Sequence, residues 1–161
     1  MMRDLTKKTM LLMSLASGKR RSEVSALVAD HRHLQFAVGY AIVTLIPAIT
    51  FWTKTQPSSR PSDTWTFPSP SQLVGHDDDR LLCPVRALRY YLDRTKDDKQ
   101  RGPGSQLFLP LSPDVKTTTP KMVSRLICNT IFRAYLGDDH PADTDNARIT
   151  AHEVRALAAS W

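Results

Sequence analysis

Strand-forming residues gather in one stretch of this chain, Ala37 to Thr55, and that concentration limits the folds open to it. Ile42, Val43, Thr44, Ile46, Ile49, Phe51 and Trp52 lie there, with Pro47-Ala48 interrupting them. β-branched and aromatic side chains suit a pleated, half-buried surface. A proline has no N–H to give a ladder. The stretch reads as two strands, roughly 41–46 and 49–54, joined by a tight turn. Thr64-Trp65-Thr66-Phe67 reads as a third, beyond the Pro- and Ser-rich loop Gln56–Asp63. With helical periodicity elsewhere, the expected class is α+β: mainly helical, with a small three-stranded antiparallel sheet near the N-terminal part.

The helical readings rest on spacing and on end signals. Leu5 to Ala16 reads as a mostly buried helix closed by Gly18. A second starts at Lys19–Ser22 and runs through Val24, Leu27 and Val28. Cys83-Pro84 opens a third, with Pro in its first turn, Val85, Leu88 and Leu92 as its apolar stripe, and Arg86, Arg89 and Asp93 facing outward. Leu107-Phe108-Leu109 is a short buried segment after the polar loop Lys96–Ser105. Thr119-Pro120 opens a long helix with Val123, Leu126, Ile127, Ile131 and Ala134 on its core face, ended by Gly137. The last helix begins at Thr150, where Thr150 and Glu153 have capping-box spacing. It stops at Trp161 with no Gly, Pro or polar tail, so the chain reads as continuing further.

With 161 residues, 41% hydrophobic, the chain has enough apolar side chain for one domain with a real core. Its net charge of +6 favours an anionic partner without naming it. Cys83 and Cys128 lack the spacing of a zinc site or a disulfide framework and indicate a reducing, intracellular setting. The apolar run Leu11–Ala16 is too short for a signal peptide, and no window is long and apolar enough to span a bilayer.

Two short motifs carry the chemistry. Near the start stands Ser17-Gly18-Lys19-Arg20-Arg21-Ser22-Glu23, an arginine just after a helix-ending glycine. Near the end stands Thr150-Ala151-His152-Glu153-Val154-Arg155, a His-x-x-Arg pair opening a helix. A guanidinium grips phosphate oxygens through forked N–H donors and stays charged at any ordinary pH. Two arginines and a histidine at helix starts suit the holding and activation of one phosphodiester.

In this order the motifs resemble the catalytic domain of tyrosine recombinases of the phage-integrase type. That family carries Gly-x-Arg-x-Ser-Glu near the start of the domain, matched by Gly18 to Glu23. A small antiparallel sheet bearing a lysine comes next, and later a His-x-x-Arg at a helix start. Leu82-Cys83-Pro84-Val85-Arg86-Ala87-Leu88-Arg89-Tyr90-Tyr91-Leu92 and His152–Trp161 resemble more narrowly the recombinases of eukaryotic tyrosine-recombinase retrotransposons. The resemblance covers residues 1–161 as one catalytic domain, incomplete at its C-terminus.

The resemblance implies roles for named residues. Arg20 and Arg155 clamp the non-bridging oxygens of the scissile phosphate. Lys54, at the end of the second strand, gives a proton to the leaving 5′-hydroxyl. His152 hydrogen-bonds the phosphate and assists proton transfer, and Glu23 props the first arginine. Lys19, Arg21, Arg86 and Arg89 are expected to meet DNA, chiefly at its phosphates. No metal and no other cofactor is expected, because guanidinium groups take the place of a divalent ion. The implied activity is site-specific DNA recombination or integration, by strand cleavage and rejoining through a 3′-phosphotyrosyl intermediate, as part of a mobile element. The expected partner is double-stranded DNA, with a homo-oligomer forming on it in the full-length protein. No membrane is involved, and the location is intracellular, the nucleus in a eukaryote.

The chain departs from the family downstream of His-x-x-Arg. A further His or Trp and the attacking tyrosine are expected beyond Trp161. Tyr40, Tyr90, Tyr91 and Tyr135 all precede His152, and none occupies the nucleophile's place. The resemblance also implies an amino-terminal core-binding domain, which residues 1–161 are not expected to include. This piece alone is therefore expected to be inactive unless a partner lends its tyrosine. Two other readings stay open: a non-catalytic DNA-binding domain from a decayed or domesticated recombinase, and a helical scaffold whose charge is incidental. Single residues have plainer readings too. Arg21 competes with Arg20, Arg60 lies near Lys54, and a solvated helix face explains Arg86 and Arg89 equally well. His31-Arg32-His33 and His76-Asp77-Asp78-Asp79 read as polar loops, not metal sites.

Overall fold

The computed structural model describes residues 2–37, 39–48, 50–51, 64–70 and 80–136. Among these, the elements in chain order are α1 (Met2–Ser17), α2 (Arg21–Ser25), β1 (Leu34–Ala37), β2 (Ile42–Leu45), β3 (Trp65–Pro68), α3 (Pro84–Thr95) and α4 (Pro120–Leu136). The strands form one antiparallel sheet in the order β1-β2-β3. The class is α+β, as expected, and no described helix is long and apolar enough to cross a membrane.

The helices begin and end where side chains satisfy free backbone groups. Gly18 closes α1 with a positive φ of 59°, and its amide donates to Ser14 O at 3.0 Å. Cys83 caps α3, its Sγ accepting the Arg86 amide at 3.4 Å, and Pro84 fills a position whose N–H has no helical partner. Thr119 caps α4 through the Met122 amide at 3.3 Å. Val85, Leu88 and Tyr91 point inward from α3, whereas Arg86, Arg89 and Asp93 lie on its outer side.

The sheet differs from its expected make-up. The third expected strand is present as β3, and β2 lies inside the first. The partner of β2 is not 49–54 but Leu34-Gln35-Phe36-Ala37, paired Leu34 with Leu45 through Ala37 with Ile42. Pro47 explains the change. It cannot extend the ladder, and instead it bridges to Leu27 while the Ala48 amide donates to Ala26 O at 2.9 Å. The chain is thereby drawn off the sheet toward α2. Thr50 and Phe51 form no strand, and the Phe51 amide turns back to Ala48 O. Positions 49 and 52–54 lie outside the described residues. The same ties shorten α2, expected to reach Val28, to five residues.

Residues of one face alternate into the core, with the rows Leu34–Leu45–Trp65 and Phe36–Val43–Phe67 running across the three strands. Val43, Leu45, Trp65 and Phe67 are buried among Met10 and Met13 of α1, Leu88 and Tyr91 of α3, and Val123 and Ile127 of α4. Leu107 and Phe108 enter the same core from an irregular segment. Gln106 ties that segment down, donating to Ser25 O and Thr118 O and accepting the Thr118 amide at 2.6 Å.

Candidate nucleic-acid interface

Arg20 owes its position to the turn on either side of it. The αL conformation of Gly18 reverses the chain out of α1, and Arg20 then serves as the N-cap of α2 with φ −73° and ψ 150°. Its carbonyl accepts the Glu23 and Val24 amides at 2.9 and 3.0 Å. In return Glu23 Oε2 accepts the Arg20 backbone N–H at 2.6 Å. An arginine side chain has no acceptor, so only this half of a capping box can form. Glu23 is buried and committed to the backbone of Arg20, not to its guanidinium. Among the described residues the half-buried guanidinium has no hydrogen bond and no ion pair.

The short α2 is held from below. Val24 and Leu27 are core residues. Leu27 O accepts the Leu107 amide at 2.7 Å, and the Ala29 amide donates to Ser105 O at 2.9 Å. Lys19 places its Nζ 5.5 Å from the centre of the Trp65 ring, within cation–π reach, and Arg21 is exposed. Lys54, His152 and Arg155 lie outside the described residues. Of the catalytic set implied by the resemblance, the structure places Arg20.

Arg86 and Arg89 stand elsewhere, on the outer face of α3. With Arg80 they border a groove of about 940 Å³, whose other lining residues include Phe36, Tyr40, Ser69, Tyr90 and Asp93. Ser69 links its walls: its amide donates to Ala41 O in the β1–β2 connection, and its hydroxyl meets Cys83 Sγ at 3.1 Å at the start of α3. Asp93 pairs with Lys96 at 3.3 Å, and among the described residues Arg86 and Arg89 form no ion pair. The Arg89 guanidinium instead lies 4.4 Å from the centre of the Tyr40 ring. Tyr40 has a φ of +69°, a region unfavourable for a side chain of this size, and comes directly after Gly39 at +59°.

Arg80, Tyr40 and Tyr90 were not candidate site residues on sequence grounds. The available signal was Gly39-Tyr40, a glycine just ahead of the strand formers, which marks a hairpin turn able to project a ring. The two histidines near Asp30 are engaged locally. His31 pairs with Asp30 at 3.1 Å, and His33 Nδ1 donates to Ile46 O at 3.1 Å. The Asp30 carboxyl is held below its usual range by the Arg32 backbone N–H. No group of three or more metal-ligating side chains forms among the described residues.

Comparison with known proteins finds no matching family model, no matching curated protein and no matching solved structure.

Proposed function

We propose that this chain carries the phosphate-activating part of a DNA strand-cleaving and rejoining site of the tyrosine-recombinase type. The observation that carries the reading is the state of Arg20. It caps α2, and among the described residues its guanidinium has no hydrogen bond or ion pair, while the Glu23 carboxylate beside it accepts the Arg20 backbone amide. A partly buried, uncompensated guanidinium is a ready phosphate site.

In this reading Arg20 and Arg155 hold the non-bridging oxygens and stabilise the charge that builds on them during attack. His152 hydrogen-bonds the phosphate, and Lys54 protonates the leaving 5′-oxygen. The nucleophile is a tyrosine hydroxyl from beyond Trp161 or from a partner. Its oxygen bonds to phosphorus as the phosphorus–5′-oxygen bond breaks, and the reverse attack by a 5′-hydroxyl rejoins the strand. Lys19, Arg21, Arg86 and Arg89 contribute phosphate contacts with salt-sensitive affinity.

The test supplies the missing nucleophile. Duplex DNA carrying a single 5′-bridging phosphorothiolate is incubated with the protein and a small phenol such as tyramine, and duplex affinity is measured in parallel at low and high salt. The reading expects tyramine-dependent cleavage, lost in Arg20→Ala and Arg155→Ala, and affinity that falls steeply with salt. Salt-sensitive binding without cleavage supports the decayed, non-catalytic DNA-binding domain. Absence of binding at low salt overturns both.

A further inference from the structure

We infer that the groove between the β1–β2 connection and α3 binds a single, unpaired nucleic-acid strand, at a place distinct from the Arg20 phosphate site. The inference deepens the nucleic-acid reading above and rests on it, but not on its cleavage chemistry.

Three features converge. The first is charge: Arg86 and Arg89 line the groove with Arg80, and the carboxylate among the described lining residues, Asp93, is paired with Lys96. Arg86 and Arg89 are three residues apart on α3 and so lie on one face of it. The second is rings. Tyr40 and Tyr90 are exposed at 47% and 54%, too open for core packing to explain them. Phe36 stands against Tyr40 with ring centres 5.5 Å apart. The third is strain. A tyrosine at φ +69° costs free energy that a glycine at the same place does not. The backbone holds that ring where Arg89 covers it, so charge and an aromatic surface are presented together.

A groove of about 940 Å³ has room for a few nucleotides but not for a double helix. Guanidinium groups beside exposed rings are the combination that binds a strand through its phosphates and its unstacked bases. Duplex backbone contact needs only the charge, and a duplex hides the base faces that the rings would meet. The place is separate from Arg20. Lys19 lies over Trp65 at one end of β3, and Ser69 in the groove lies beyond the other end, about 13 Å away along the strand.

The test is fluorescence anisotropy with a labelled 12-nucleotide oligothymidylate and the whole chain, at low salt. Thermal melts check the fold of each variant. Tyr90→Ala is expected to weaken binding about 10-fold. Tyr40→Gly is expected to do the same while keeping or raising stability, because glycine relieves the positive φ. Arg86→Ala with Arg89→Ala is expected to weaken binding and flatten its salt dependence. Arg20→Ala is expected to leave oligothymidylate binding unchanged while reducing duplex affinity, so the two sites fail separately. Equal affinity of the wild type and the tyrosine variants for the oligonucleotide overturns the inference. So does full competition by free thymidine monophosphate at the same nucleotide concentration, which would mark a small-molecule site.

Discussion

The Tyr91 side chain is buried in the core, and its hydroxyl accepts the Leu109 amide at 2.9 Å. Burial is the larger influence on the phenol and raises its pKa above 10.0, against the opposing effect of that N–H and of the Arg101 charge. Arg101 lies over the same ring and donates to Gln106 O, Leu107 O and Thr95 Oγ1. Tyr91→Phe leaves the Leu109 amide buried without a partner and is expected to cost about 1–2 kcal/mol at neutral pH in urea melts. The difference narrows in alkali. A raised phenol pKa stabilises the fold fully below pH about 10, and that stability is lost as pH rises through the folded value. The phenylalanine variant lacks this loss, so its deficit is expected to shrink between pH 9 and about 11; a deficit constant across that window contradicts the account. Residues differ in how far sequence alone exposes them. Arg20 is legible because Gly18 marks the helix end before it. Arg101 is not, because two of its partners are the Gln106 and Leu107 carbonyls, in a segment whose path only the folded chain defines.

The elements with strong local signals form where spacing places them. Pro84 and Thr119-Pro120 start α3 and α4, and the inward stripes Val85, Leu88 and Val123, Leu126, Ile127 are buried. The sheet was only partly legible. Phe51 and Ile49 carry strand propensity, yet Pro47 diverts the chain, and the weaker segment Leu34–Ala37 takes the place beside β2. Pairing across a hairpin outweighs intrinsic preference in so short a strand. The α1–α2 turn shows the converse, a single residue deciding an element. Gly18 at φ 59° holds a conformation that costs a residue with a Cβ free energy, and Gly18→Ala is expected to cost about 1–2 kcal/mol. Because Arg20 stands two residues on, the same change is expected to lower duplex affinity, read by filter binding beside a thermal melt. Unchanged stability and affinity would show that the turn does not set the position of Arg20.

Across the whole molecule, α1, α3, α4 and the sheet share one core, and the cationic features fall at separate places on its outside. Lys19 and Arg20 stand at the start of α2, while Arg80, Arg86 and Arg89 stand along the groove beside α3. Local patterning does not reveal such a division, since Arg86 and Arg89 read equally as a solvated helix face until Tyr40 is brought against them. The central claim is that Arg20, His152 and Arg155, distant in sequence, meet around one phosphate. Its most direct measurement is a crystal structure of this protein grown with tungstate, a phosphate-like anion visible by its anomalous signal. The account predicts one ion held jointly by the two guanidinium groups and the imidazole. An Arg20 guanidinium on the opposite side of the molecule from His152 and Arg155 would contradict it.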